Sequence, residues 1–179
     1  MRADAEDDWD LFARAPQDDG ALARLFERHR HYVYRLAWGL LSDDDTADDV
    51  VQEVFLKIRL GRMKAAPRAK FTTWLYKVAL NTAREQGRRK RKSASDAGVV
   101  ALFGAAASAD EPLSRVDDLQ DLGAALARLP MRQREIVVLR VLEGFGTGET
   151  AEIVGCREGT VKAHLHRATA SLRKHLTQD

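Results

Sequence analysis

Lys77, Asn81, Arg84 and Arg88 recur at intervals of i, i+4, i+7 and i+11 within FTTWLYKVALNTAREQGRRKRK, residues 71–92. On a helix turning by about 100° per residue they form one stripe, with Trp74 beside it. A row of cations matches a phosphate backbone, an amide hydrogen-bonds a base edge, and an indole stacks on an unpaired base. The chemistry on offer is the holding of a nucleic-acid strand. A solvated basic face with a core indole is the competing reading of the same residues.

A second group lies near the C-terminus. A short helix, a turn at Gly155-Cys156-Arg157 and a helix opening with Gly159-Thr160-Val161 have helix-turn-helix proportions. On the last helix Val161, Leu165, Ala168, Leu172 and Leu176 share one face, and Lys162, Ala163, His166, Arg167 and Ala170 lie opposite or flanking. Small outward side chains let a helix enter a major groove, where Lys162 and Arg167 reach guanine edges or phosphates. A third group, Asp48, Asp49, Gln52 and Glu53, projects from another helix, with Lys57 four residues beyond Glu53. That pattern favours a solvated face over a docking surface for a basic partner.

Other groupings carry no bond chemistry. His29 and His31, like His164 and His166, are two positions apart. On a helix such positions diverge by about 200° and do not share a metal easily. Cys156 reads as a packing residue, and the Asp43–Asp45 and Asp48–Asp49 clusters as charge at a helix N-terminus. No catalytic residues, metal or cofactor are expected.

Net charge is only +2 over 179 residues, yet the first twenty are acid-rich (Asp4, Glu6, Asp7, Asp8, Asp10, Asp18, Asp19) and 84–92 are strongly basic. Local sign decides where a polyanion binds. One cysteine excludes an internal disulfide and favours a cytoplasmic setting. No apolar run is long enough for a bilayer, and none resembles a signal core.

The elements that position these groups are helical. Apolar spacing predicts helices at about 20–41, at 47–60 with Asp45 or Thr46 as cap, and at 71–92. Residues 93–116 are rich in small side chains and read as a linker, with an apolar spot at Val99, Val100, Leu102 and Phe103. A second block follows. Leu119, Leu122, Leu126 and Leu129 share a face stopped by Pro130, and Ile136, Val137, Leu139 and Val141 are the apolar positions of a helix at 132–142. A short helix at 148–154 and a long basic helix at 158–176 complete it. The expected fold is all-α, two small helical domains joined by a flexible linker, the second a helix-turn-helix domain. Its divisions are an acidic tail at 1–19, an N-terminal domain at 20–92, the linker at 93–116 and a C-terminal domain at 117–179.

The segments ADDVVQEVFLKI (47–58), KFTTWLYKVALNTA (70–83), LPMRQREIVVLRVLEGF (129–145) and GTVKAHLHRATASLRKHL (159–176), in this order and spacing, resemble bacterial RNA polymerase sigma factors of the extracytoplasmic-function (ECF) group. The resemblance implies a cytoplasmic promoter-specificity subunit of the core polymerase. It places Asp48, Asp49, Gln52 and Glu53 on the clamp of the largest subunit. Trp74, Lys77, Asn81, Arg84 and Arg88 fall at the start-proximal promoter element, with Asn81 on a flipped base and Trp74 as hydrophobic support. Lys162, Ala163, His166 and Arg167 fall in the upstream element. An anti-sigma factor is an implied partner. Two departures stand out. The loop RMKAAPRAK (62–70) lacks the aromatic and the Gly-Asp frequent in the family, and Gly148 and Thr150 replace an acidic residue and a large aliphatic. A glycine inside that helix implies a loss of up to ~1 kcal/mol relative to alanine. A sigma-like decoy for an anti-sigma factor and a conventional helix-turn-helix regulator remain alternatives.

Overall fold

Aspartate carboxylates start the two N-terminal helices that carry most of the core. In the computed structural model, which describes residues 6–96 and 121–176 (side chains 6–92 and 121–173), Asp18 accepts from the backbone N–H groups of Gly20 and Ala21. This opens α2, Asp19–Leu41, after the short α1, Asp8–Arg14. Ser42 ends α2 in the left-handed region at φ +52°. Asp43 then accepts from Thr46 N–H at 2.9 Å and opens α3, Asp44–Arg59. The cap is therefore Asp43 rather than Asp45 or Thr46, because a capping carboxylate must precede the free N–H by two or three residues. A loop leads to α4, Phe71–Asp96. Leu25, Leu36, Leu40, Val50, Val54, Ile58, Leu75 and Ala79 form the core among α2, α3 and α4.

The acidic stretch expected as a tail folds onto this bundle from residue 6 onward. Leu11 and Ala15 are fully buried and Phe12 nearly so. Asp8 meets Arg28 and His29, each at 2.8 Å, and Glu6 meets Arg14 and, at 3.0 Å, Arg24. The acids are matched to bases on α1 and α2, and the apolar residues between them supply the contact that a solvated tail would lack.

The second block contains α5 (121–127), α6 (Met131–Val137) running into a π-helical turn (Val138–Leu142), α7 (Thr147–Val154) and α8 (Glu158–Leu176). Leu126, Leu129, Ile136, Leu139, Ile153, Val161 and Ala168 are its buried core. The π turn inserts a residue and shifts the register. Val141, expected among the apolar helix positions, is therefore 59% exposed beside exposed Leu142. Among the described residues every regular element is helical, and no helix is long and apolar enough to cross a membrane. α4 continues through Asp96, so the first residues assigned to the linker are helical. The remainder of 93–116, with its apolar spot at Val99–Phe103, and the start of the second block through 120 lie outside the described residues.

The two blocks pack against each other. A methyl group added at Gly39 of α2 would come within 3.0 Å of the Val138 side chain. Arg134 of α6 reaches across, its Nη1 donating to Leu40 O at 2.6 Å while Nη2 donates to Ala127 O.

Candidate nucleic-acid interfaces

The stripe on α4 is built as expected at three positions. Lys77, Asn81 and Arg88 are exposed, while Leu75, Ala79 and Thr82 point inward. Trp74 differs from the reading of an available stacking surface. It is only 8% exposed, its indole N–H donates to Lys64 O at 3.2 Å, and its ring lies 4.8 to 5.4 Å from those of Phe12, Trp9 and Phe71. An aromatic cluster of this size removes more apolar surface from water than an exposed indole would. One side of Trp74 nonetheless borders a cavity of about 290 Å³, together with Ala66, Ala69, Lys77 and Asn81. Trp74 is thus a wall, with the Asn81 amide and the Lys77 ammonium at the rim.

Arg84 is occupied. Its Nε and Nη2 donate to the two carboxylate oxygens of Glu135 at 2.6 and 2.8 Å, and its Nη1 donates to Asn81 Oδ1 at 3.1 Å. Glu135 is 2% exposed and comes from α6 of the other block. Three more carboxylates from that block face the same side. Glu143 binds Arg35 at 2.7 Å and accepts from the Tyr76 hydroxyl at 2.5 Å. Glu149 meets Lys70 at 3.1 Å, and Glu152 closes one side of the cavity. Burial, reinforced by the bond to Glu143, pushes the Tyr76 phenol above its ordinary range, so it stays a donor. The Gly146 backbone N–H, with Lys70, holds the Glu149 carboxyl below the usual carboxylate range. Arg35, Tyr76, Glu135 and Glu143 escaped the sequence reading because their partners lie 51 to 108 positions away. One signal was present: Glu135 stands four residues before Leu139, on the apolar side of its helix.

The face of α8 is open. Lys162, Ala163, His166 and Arg167 are all exposed, while Val161 and Ala168 are fully buried. Gly155, at φ +75°, ends α7 and makes the turn between the two helices. Gly148 is the second residue of α7, not an interior one, so the full interior-glycine cost does not apply. Thr150 is fully buried, and its hydroxyl has no hydrogen-bond partner among the described residues.

On α3, Asp48, Asp49 and Gln52 are exposed. Glu53 is turned inward to Lys57 at 2.5 Å and Gln86 at 2.6 Å. Partial burial works against its charge, but the bonds from Lys57 and Gln86 prevail and hold its carboxyl below the usual range. The same face carries Leu56, 56% exposed, beside an open groove of about 520 Å³ lined by Leu22, Phe26, Gln52 and Phe55. Leu56 sits among charged residues that mask an apolar signal in the sequence; its position off the Val50–Val54–Ile58 stripe is the signal available there.

The family models for sigma-70 region 2 and sigma-70 region 4 match residues 25–93 and 119–172. The chain is 31% identical to the ECF RNA polymerase sigma factor SigM of Mycobacterium tuberculosis, over 98% of this chain and 85% of that protein. It is also 31% identical to the ECF RNA polymerase sigma-E factor of Escherichia coli, over 87% and 86%. Two solved structures superpose with a TM-score of 0.72. One is RpoE of Bartonella quintana in complex with the anti-sigma factor NepR, at 28% identity, covering 88% of this chain and 97% of that one. The other is CnrH with the cytosolic domain of CnrY, at 24% identity over 96% and 98%, a likeness of fold.

Proposed function

Because the chain belongs to the extracytoplasmic-function sigma factors of bacterial RNA polymerase, we propose that it acts in the cytoplasm as a dissociable initiation subunit that docks, reads and opens promoters through three separate faces. Asp48, Asp49 and Gln52, with the neighbouring Leu56 and its groove, face the polymerase clamp. Glu53, already bound to Lys57 and Gln86, shapes that face more than it contacts a partner. Lys162, Ala163, His166 and Arg167 enter the major groove of the upstream element. The α4 face takes the separated strand of the start-proximal element: Lys77 and Arg88 meet phosphates, Asn81 hydrogen-bonds an unstacked base, and Trp74 walls its pocket. The residues of 97–120 connect the two grips and raise the effective concentration of the second once the first is engaged. The protein forms no bond itself; phosphodiester chemistry belongs to the polymerase.

The observation that carries this reading is the cavity bordered by Trp74, Lys77 and Asn81, which combines an apolar wall, a cation and an amide. In the closed arrangement Arg84 is committed to Glu135, so capture of a strand requires a phosphate to take the place of that carboxylate. The relative bound to NepR supports an anti-sigma factor as a partner of this chain too. The outward Lys162 and Arg167 weigh against a decoy that never meets DNA. Asn81→Ala tests the assignment. Transcription from duplex promoter templates should fall about tenfold while transcription from pre-melted templates and affinity for core polymerase hold; equal loss on both templates would refute it.

A further inference from the structure

Loop 62–70 forms one lip of the cavity through Ala66 and Ala69. Most of its side chains are exposed, and it has little core of its own. Its described backbone hydrogen bonds are few: Arg62 N–H to Lys57 O, Ala69 N–H to Ala66 O, and Trp74 N–H back to Lys70 O. Two indoles supply the rest. Trp74 donates to Lys64 O at 3.2 Å, and Trp9, from α1, donates to Ala69 O at 3.1 Å. The two rings lie 5.3 Å apart and share Phe12 and Phe71 as neighbours. The loop is thus pinned near both ends by adjacent tryptophans, only one of which lines the cavity.

α1 is itself seated. Asp8, next to Trp9, holds Arg28 and buried His29 at 2.8 Å, Leu11 is fully buried, and Pro16 O accepts from Arg59 Nη1 at 2.5 Å, just before the loop begins. The donor on Trp9 therefore stands on a fixed platform. A carbonyl held by a preset donor fixes the height of the cavity lip without a side chain entering the cavity.

We propose that Trp9 is a positioning residue for base capture: its indole N–H, carried on α1, sets the Ala69 side of loop 62–70 and thereby the shape of the pocket beside Trp74 and Asn81. This rests on the assignment of that pocket to an unstacked base, and it gives the acidic N-terminal segment a part in promoter opening. Base discrimination depends on Trp9 although Trp9 touches no base.

Trp9→Phe keeps an aromatic ring in the cluster and removes the donor. Two readouts separate this inference from the pocket assignment. The first needs no DNA. Arg62, Lys64, Arg68 and Lys70 make the loop a target for trypsin, and cleavage there should quicken about fivefold relative to cleavage elsewhere, in keeping with loss of one hydrogen bond. The second uses full chain assembled with core polymerase. The probe is the non-template strand of a promoter recovered by sequencing transcripts after overexpression, intact or made abasic at each start-proximal position in turn. Wild type should bind the intact strand about tenfold more tightly than one of the abasic strands. Absence of any such position in wild type sinks the pocket assignment instead. Trp9→Phe should reduce that ratio to about twofold, with polymerase affinity and upstream-duplex affinity unchanged. Asp8→Asn, which loosens α1 without altering a ring, should move both readouts in the same direction by less, and it serves if Trp9→Phe unfolds. An unchanged ratio and unchanged loop cleavage in a folded variant overturn the inference. So does a parallel loss of polymerase and duplex affinity, which marks Trp9 as merely structural.

Discussion

The two basic helices of this molecule differ in how far their cations are already engaged. On α8 Lys162 and Arg167 stand clear, with no carboxylate paired with either among the described residues. On α4 the stripe is occupied at one position, Arg84, which Glu135 of the other block binds, while that block also sets Glu143 against Arg35 of α2, Glu149 against Lys70 of the preceding loop and Glu152 beside the cavity. A phosphate approaching α8 displaces water and counterions. A phosphate approaching Arg84 must displace a carboxylate in bidentate contact, which is the strongest geometry for a guanidinium. The difference shows that charge on a helix does not by itself set affinity for a polyanion; what already occupies the charge does.

Glu135→Gln should break this asymmetry most. It removes the negative charge facing Arg84 and weakens the contact between the blocks by about 1.5–3 kcal/mol. The free chain should then bind a mixed-sequence single strand at least about tenfold more tightly, because a larger fraction is competent. Binding of duplex should stay within about twofold. Fluorescence anisotropy on both probes, with the radius of gyration from scattering, checks this; a matching change on both probes would erase the distinction between the faces. Next in size, Lys162→Ala with Arg167→Ala should weaken duplex binding about tenfold and flatten its salt dependence, leaving single-strand binding as it was. The smallest effect sharpens the contrast from the side of stability. Thr150→Val replaces a buried hydroxyl that lacks a partner and should raise the stability of the C-terminal block by about 1 kcal/mol, read by denaturant unfolding, with neither DNA affinity altered.

How far the sequence disclosed this arrangement differs from place to place. The exposure of Lys77, Asn81 and Arg88 on α4, the burial of Val161 and Ala168 on α8 and the turn at Gly155 follow from local spacing and are present as read, while the side chain of Leu176 lies outside the described residues. α1 was hidden because a helix of 7 residues amid aspartates spans less than two turns, too few to repeat an apolar pattern, and its stability comes from Leu11 and Phe12 meeting a distant surface. The burial of Trp74 depends on Trp9, Phe12 and Phe71 gathering from two helices. The exposure of Val141 depends on a π turn, which no apolar periodicity announces. The occupation of Arg84 joins positions 51 apart, and nothing in the pattern near either residue specifies the other.

Arg134 spans the seam between the blocks, giving its protons to the carbonyls of Leu40, Ala127 and Leu129. Such a joint differs from a greasy one in what is left when it parts. Carbonyls and guanidinium can each be rehydrated at once, whereas the apolar contacts beside them, Val138 on Gly39 and Phe145 on Tyr76, are bared to water when the blocks part. The polar part of the seam is thus the part that water can replace, and the apolar part is what favours its closing again.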